Sequence, residues 1–351
     1  MGNSKAKILV TDPRSPARAD VVAAAKVLRE GGLIILPTET VYGVAALPGA
    51  EARLYEAKAR DLGKPIPLLA SGIEAVERWG GLLSPAARRL ARRYWPGPLT
   101  LVLPCGSKTE GFRVPDHAVA AAVLKEVGGV LRVTSANLSG APSARTVEAA
   151  LAVLGGRVSL ALDAGPAIVG VESTVVDAAG AVPRILRQGA LSADAIMGRP
   201  RVLLVCTGNT CRSPMAEQLL RKWLGPESAW DVGSAGTSAA EGMPASAAAQ
   251  RAVEDLKLSL AGHHSRRLTQ GLVDGSDLIV VMTTAHKQAV LQRFPRAADR
   301  TVLLTSFNPK RREEDIQDPI GWPLDMYRKV RDDMDAAMPD LVLYLHELEK
   351  R

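Results

Sequence analysis

The sequence predicts an α/β protein in two parts, a twisted open mixed sheet followed by a small doubly wound parallel sheet. Three observations carry this. Short apolar runs such as Leu33 to Leu36 and Val202 to Val205 alternate with stretches of helical spacing. Before residue 198 the alternation includes a hairpin, GVESTVVD followed by VPRILRQGA, which mixes strand directions. After residue 201 it settles into regular strand, loop and helix units, and the short Gly198-Arg199-Pro200-Arg201 segment separates the two regimes. Domains are therefore expected over residues 15–198 and 201–351.

A chain of 351 residues has room for two or three domains. It contains no run of about 18 apolar residues, and MGNSKAKILV lacks a secretory apolar core, so a cytoplasmic protein without membrane association is expected. Three cysteines, two of them in one loop, argue for a reducing compartment rather than a disulfide framework. The charge is uneven: residues 1–199 hold 24 Lys and Arg against 17 Asp and Glu, whereas residues 200–351 balance at 20 of each. The surplus suits a polyanionic ligand on the first domain.

In chain order, Asp20 to Glu30 spaces Val21, Ala24, Val27 and Leu28 as a helix, stopped by Gly31-Gly32 before the strand Leu33 to Leu36. PTETVYG (Pro37 to Gly43) gathers Thr38, a carboxylate and a tyrosine at the strand's end, where α/β sheets bind ligands. Lys58 and Arg60 follow a helical segment, and Lys64 sits in a Gly/Pro break. Three cations around a turn suit a triphosphate. YWPGPLTLVLP gives a turn feeding a strand, and LRVTSANLSG ends a strand on Ser135, Asn137 and Ser139. GVESTVVD carries Ser173 and Thr174, its hairpin partner ends near Arg187, and LSADAIM reads as a last helix.

PTETVYG, WPGPLT, TSANLSG, GVESTVVD and RQGA, in this order, resemble the threonylcarbamoyl-AMP synthase family over roughly residues 15–198. The resemblance implies that L-threonine, bicarbonate and ATP are joined into threonylcarbamoyl-AMP with release of pyrophosphate.

ATP would arrive with Mg2+, and the implied chemistry needs no tightly bound cofactor and no protein-held metal. By resemblance, Thr38, Arg113, Val133 and Ser173 line the threonine side, while Lys58, Ser135, Ser143 and Arg187 hold ATP, with Arg60 and Asn137 nearby. The adenylate would pass to a tRNA-modifying transferase complex. Three departures stand out: Arg132 replaces a small or apolar residue, the lysine-rich turn lacks an asparagine before its Pro-Leu, and a second domain takes the place of the long form's C-terminal domain. A reading of another class is an RNA-binding module that keeps the fold without synthesis.

The second part opens on RVLLVCTGNTCRSPMAE, an apolar strand, a polar loop and a helix start with Pro214 in the first turn. Loop N–H groups and the positive end of the helix dipole bind a phosphate-like anion and favour a thiolate at Cys206. Arg212 adds a bidentate fork, so attack by Cys206 on phosphorus is the implied chemistry. Thr207, Gly208, Asn209, Thr210, Cys211 and Ser213 complete the loop, and the C-x5-R-S-P pattern resembles the low-molecular-weight protein phosphatases. Beyond it, SAGT (Ser234 to Thr237), a helix at about 244–255 and the strand DLIVVM continue the fold.

His263, His264 and His286 lack metal-ligand spacing and are expected to be structural. Asp318-Pro319 resembles the family's general-acid motif and precedes one long helix, Leu324 to Glu349. Thiol-dependent arsenate reductases share the loop but need further cysteines, and none follows Cys211. Thr210 within CTGNTCRS resembles the protein-arginine phosphatases, which makes phosphoarginine on proteins the favoured substrate and phosphotyrosine the alternative.

Overall fold

The computed structural model describes residues 6–138, 140–180 and 182–350, so Ser139 lies outside the described residues. The chain divides into two compact units, Met1–Met197 and Gly198–Arg351.

Ten strands of the first unit form one sheet: β1 (Lys7–Val10), β2 (Ile34–Leu36), β3 (Gly43–Ala46), β4 (Leu68–Ala70), β5 (Leu99–Cys105), β6 (Lys108–Arg113), β7 (Val130–Ser135), β8 (Leu160–Asp163), β9 (Thr174–Asp177) and β10 (Arg184–Arg187). Their order is β1-β8-β2-β3-β7-β4-β6-β5-β9-β10. β1, β8 and β2 run parallel, β3 is antiparallel to both β2 and β7, and β5 pairs antiparallel with β6 but parallel with β9. The sheet is therefore mixed, as its hairpin predicts.

Alternation along the strands explains the layers. Ile34 and Leu36 pack with Val21, Ala24 and Leu28 of the helix Arg18–Arg29. Leu33 and Ile35 pack instead with Leu54 and Ala57 of the helix Glu51–Lys58 and with Val147 and Ala150. A third cluster joins Leu99, Leu101 and Leu103 to Leu90 and Ala91 of the helix Pro85–Tyr94. That helix starts cleanly because the Ser84 hydroxyl accepts from the Ala87 N–H and Pro85 occupies its first turn.

In the second unit β11 (Arg201–Cys206), β12 (Asp231–Gly236), β13 (Leu278–Val281) and β14 (Thr301–Leu303) lie in the order β12-β11-β13-β14, all parallel. Val202 and Leu204 face one core with Met215 and Leu219, while Leu203 and Val205 face another with Val273 and Val290. Burial on both faces is why these strands read as continuous apolar runs.

One expectation needs correction. The single helix Leu324 to Glu349 is two helices, Leu324–Asp335 and Met338–Lys350. Pro339 has no N–H to donate and its ring crowds the carbonyl four residues earlier, so the first helix ends and Pro339 takes the second position of the next. Both pieces still bury one face, through Val330, Met334, Leu341 and Leu345, in the same cluster.

RQGA folds back tightly on GVESTVVD. A Cβ on Gly189 would meet the Glu172 carbonyl oxygen at 2.4 Å and the Ser173 carbonyl carbon and oxygen at 2.5 Å. These are backbone atoms that cannot swing aside. Gly189→Ala is expected to destabilise the first unit by about 1–3 kcal/mol, read from chemical denaturation. Gly180→Ala, where a Cβ meets nothing within 4 Å, should leave stability near wild type.

Candidate active sites

The first unit holds a cavity of about 560 Å3 whose wall includes Thr38, Lys58, Arg60, Arg113, Val133, Ser135, Asn137, Ser173 and Arg187. Along β5 and β6 the wall positions alternate, Thr100 and Val102, then Thr109, Gly111 and Arg113, so these strands present one face to it. The cavity thus lies against the sheet as well as at strand ends. Antiparallel neighbours send their C-terminal ends to opposite edges, so one edge cannot collect all these groups.

Lys58 ends its helix, and Ala59 in the left-handed region (φ +46°) turns the chain there. The ammonium donates to Asn137 Oδ1 at 3.0 Å, to the Ser135 and Thr134 hydroxyls at 3.3 Å each, and to the Ser135 carbonyl. Burial, and then the charge of Arg60, push the Lys58 pKa down to about 8, with Glu172 acting in the opposite sense. A desolvated ammonium surrounded only by neutral oxygens is disposed to accept an anion. Arg60 itself donates to the carbonyls of Lys64 at 3.0 Å and Pro65 at 3.1 Å, fixing the turn beside Lys58.

Elsewhere on the wall, Thr38 donates to the Val41 carbonyl at 2.6 Å, and Ser173 Oγ lies 2.8 Å from Thr100 Oγ1. Arg113 donates from Nε to the Gly97 carbonyl at 3.1 Å, and its Nη2 is 2.7 Å from Glu39 Oε1 with both side chains 8% exposed. That is a close charge contact without hydrogen-bond alignment, since Nη2 and both Glu39 oxygens lack a hydrogen-bond partner among the described residues. Arg187 donates to the Ser173 carbonyl at 2.8 Å, and a register irregularity between Ile185 and Arg187 helps set its direction. Ser143 is not on the wall, but its hydroxyl donates at 2.5 Å to Glu172, which is.

Sequence reasoning passed over Glu172 inside GVESTVVD and noted Glu39 only as a carboxylate of PTETVYG, without a role. A carboxylate in a site meant for anions contradicts charge complementarity until its arginine partner is seen. Arg132, the departure noted above, pairs with Glu110 at 2.6 Å and Glu51 at 3.0 Å and donates to the Ile66 carbonyl at 2.8 Å. Two carboxylates and a carbonyl thus accommodate an arginine where an apolar side chain was expected.

In the second unit the loop Thr207 to Cys211 joins β11 to the helix Arg212–Leu224. Cys206 is 2% exposed; the Asn209 N–H donates to its Sγ at 3.3 Å and Ser213 Oγ lies 3.0 Å away. Asn209 sits in the left-handed region at φ +54°, which asparagine tolerates, and its amide donates to Ser213 and Ser234 at 2.9 Å. Its Oδ1 accepts from the Arg266 N–H at 2.9 Å, and His263 Nε2 is 2.7 Å from its carbonyl. The glycine of SAGT is required here, because a Cβ on Gly236 would meet the Thr207 carbonyl at 2.4 Å and the Asn209 nitrogen at 2.9 Å.

Arg212 is 4% exposed, donates to the Ile316 carbonyl at 3.2 Å and lies 2.5 Å from Asp318 Oδ2. Its Nε is buried without an acceptor among the described residues. Asp318, with a side chain 41% exposed, also accepts from the Ile320 N–H at 3.2 Å. Cys206, Arg212 and Asp318 therefore gather at one end of the parallel sheet. Cys211 turns away into the core, 3.3 Å from Ser246 Oγ and 3.6 Å from the Tyr327 hydroxyl. Thr210 is half-buried, its carbonyl accepting from the Ser246 N–H at 2.9 Å and Gly208 preceding it by two residues in the same loop.

His286 was expected to be structural and braces the loop: Nε2 is 2.8 Å from Thr207 Oγ1 and Nδ1 is 2.8 Å from Thr283 Oγ1. Among the described residues, no group of three His, Cys, Asp or Glu side chains is arranged to hold a metal ion, and no helix is long and apolar enough to cross a membrane.

The chain belongs to two enzyme families. Residues 26–189 match the profile of the Sua5/YciO/YrdC family, described as telomere recombination, and residues 201–351 match the low molecular weight phosphotyrosine protein phosphatases. The first part is similar to threonylcarbamoyl-AMP synthase of Bacillus subtilis, 38% identical over 201 residues, which cover 53% of this chain and 58% of that protein. It is also similar to threonylcarbamoyl-AMP synthase of Thiobacillus denitrificans, 39% identical over 144 residues, covering 37% of this chain and 77% of the relative. The second part is similar to the protein-arginine-phosphatase of Geobacillus stearothermophilus, 40% identical over 141 residues, covering 40% of this chain and 93% of the relative.

Burial, and then the positive charge of Arg212, hold the His286 pKa down at about 4, against 6.5 for a free imidazole. The unfolded chain therefore binds more protons than the folded one between these values, and stability present above pH 6.5 is lost as pH falls toward 4. Thermal melts of the second unit should drop across this window. In His286→Gln that drop should be smaller, and equal drops in both proteins would remove His286 as its source.

Proposed function

We propose that the chain is a bifunctional enzyme, synthesising L-threonylcarbamoyl-AMP in its first unit and hydrolysing phosphorylated proteins, with phosphoarginine preferred, in its second. The reading of the first unit is supported above all by the cluster of Lys58, Ser135 and Asn137 in one cavity with Arg113 and Arg187. Lys58 and Ser135, with Arg60 and Asn137 behind them, would hold ATP phosphates, and Arg187 and Ser143 would join them. Arg113, which shares the cavity wall with Thr38, Val133 and Ser173 and is held there by Glu39, would supply the positive charge for the carboxylate of threonine.

In the reaction the threonine amine and bicarbonate form a carbamate with loss of water, the carbamate oxygen attacks the α-phosphorus, and the bond to pyrophosphate breaks. The carbamate supplies the nucleophile, so the protein's task is to exclude water and to stabilise charge developing at phosphorus. Mg2+ would travel with the ATP phosphates, the adenylate would pass to a tRNA-modifying transferase complex, and the protein would work in the cytoplasm.

The second unit is read from Cys206 Sγ, which faces the anion-binding loop beside Arg212 and Asp318. Sγ attacks phosphorus, Arg212 Nε and the loop N–H groups hold the phosphoryl oxygens, and the bond to the substrate's guanidine nitrogen breaks. Asp318 gives that nitrogen its proton, and water then hydrolyses the cysteinyl phosphate. An incoming phosphoryl dianion takes over Arg212 and so releases Asp318 for this role. Thr210 brings a hydroxyl to the loop in place of an aliphatic face, which favours a polar guanidinium over an aryl ring. A half-exposed Trp322 in the loop after Asp318 keeps phosphotyrosine as the competing substrate.

Lys58→Ala and Ser135→Ala should each lower pyrophosphate release that depends jointly on ATP, threonine and bicarbonate by on the order of 10²–10³-fold, with aryl phosphate hydrolysis unchanged. Cys206→Ser should do the reverse. An RNA-binding module without synthesis would release no pyrophosphate in any of these proteins. For the second substrate, kcat/KM on phosphoarginine peptides should exceed that on phosphotyrosine peptides, and Thr210→Ile should move the ratio toward phosphotyrosine by roughly 10-fold or more. Wild-type preference for phosphotyrosine, or an unmoved ratio, would refute the assignment.

A further inference from the structure

Glu172 is the one carboxylate among the described residues of the first unit's cavity wall. It bridges two groups assigned above to ATP: Oε2 lies 2.5 Å from Arg187 Nη1, and Oε1 accepts from the Ser143 hydroxyl at 2.5 Å. It shares the cavity wall with Lys58, the third group assigned to the phosphates.

The backbone beneath it is fixed. Ala190 donates to the Glu172 carbonyl at 3.0 Å, Gly189 packs against the same peptide, and the neighbouring Val169 and Gly170 N–H groups donate to Glu39 and Thr40 carbonyls at 2.8 Å. The side chain is 33% exposed and that of Arg187 47%, so the head groups can exchange partners while the chain stays in place.

When phosphate oxygens take Arg187 and Ser143, the carboxylate loses both partners yet stays beside the polyanion. Two like charges in contact at a partly desolvated site repel strongly unless a cation lies between them. Mg2+ answers this, since it is ordinarily held by one or two carboxylates together with substrate phosphates rather than by an all-protein cage. That also fits the lack of any three-ligand group among the described residues.

We propose that Glu172 is the protein ligand of the divalent cation that accompanies ATP, exchanging its contacts with Arg187 and Ser143 for the metal as the phosphates arrive. This rests on the synthase reading of the cavity. The step is an exchange of partners in which no covalent bond changes. Glu172 joins the site as a metal ligand, and its backbone is held by the RQGA turn.

The test uses the full chain, Mn2+ as the metal probe and the α,β-methylene analogue of ATP, with bound Mn2+ followed by electron paramagnetic resonance and nucleotide affinity by calorimetry. In wild type, Mn2+ and the analogue should bind together. Glu172→Gln should weaken Mn2+ in the ternary complex by at least ~10-fold, the lower end of what a lost supporting group costs a metal site. Glu172→Asp, which keeps the ligand type, should recover part of that loss. AMP measured without metal serves as the folding control and should bind all three proteins within about twofold.

Unchanged Mn2+ affinity in Glu172→Gln overturns the proposal and leaves the synthase reading standing. So does a Glu172→Gln protein that binds the analogue more tightly with Mn2+ unaltered, because the carboxylate would then only compete with phosphate. If wild type binds neither AMP nor the analogue, the synthase reading itself fails, and the cation site with it.

Discussion

An arginine withdrawn from water needs a countercharge, and the functional geometry of both units depends on how that need is met. Arg212, 5% exposed at its side chain, is paired with Asp318, whose side chain is 41% exposed. Arg187 and Glu172 are both partly exposed, whereas Arg113 and Glu39 are both 8% exposed. In the first two pairs at least one partner reaches solvent, which is what the proposed exchange of each carboxylate for a phosphate requires. The third pair is buried on both sides, so Glu39 holds Arg113 in place at the cavity wall.

The phosphate loop shows a second constraint, that a strand-to-helix turn of this tightness is shaped from outside as much as from within. Asn209 is fully buried and bonded through its side chain to Ser213, Ser234 and the Arg266 N–H. Gly236 leaves room for the Thr207 carbonyl, and His286 holds the Thr207 hydroxyl. Removing any one of these would loosen the loop N–H groups, whose convergence on one anion the proposed mechanism requires.

The two units place their chemistry differently because their sheets differ. All four strands of the second unit are parallel, so their C-terminal ends share one edge and the loop after β11 falls at that edge. The mixed sheet of the first unit offers no common edge, and its cavity is built against strand faces, with the helix ending at Lys58 and the hairpin ending at Arg187 supplying the cations. Alternating side chains on β5 and β6 then decide which groups reach a ligand.

The sequence by itself determined the α/β class, the change from a mixed to a parallel sheet, and the motifs holding Lys58, Ser135, Asn137, Cys206, Arg212 and Asp318, because strand period, helix caps and loop chemistry act within about ten residues of one another. It ran two C-terminal helices together, since their shared apolar stripe outweighed a single proline, Pro339, in the reading of the pattern. Tertiary structure alone decided the partners: Glu39 on Arg113, Glu172 on Arg187 and Ser143, two carboxylates around Arg132, and His286 against Thr207. Glu39 and Arg113, like Thr207 and His286, come from segments far apart in the chain. A local pattern records which side chains are present, but the countercharge of a buried cation is settled only when the fold brings distant segments within hydrogen-bond reach.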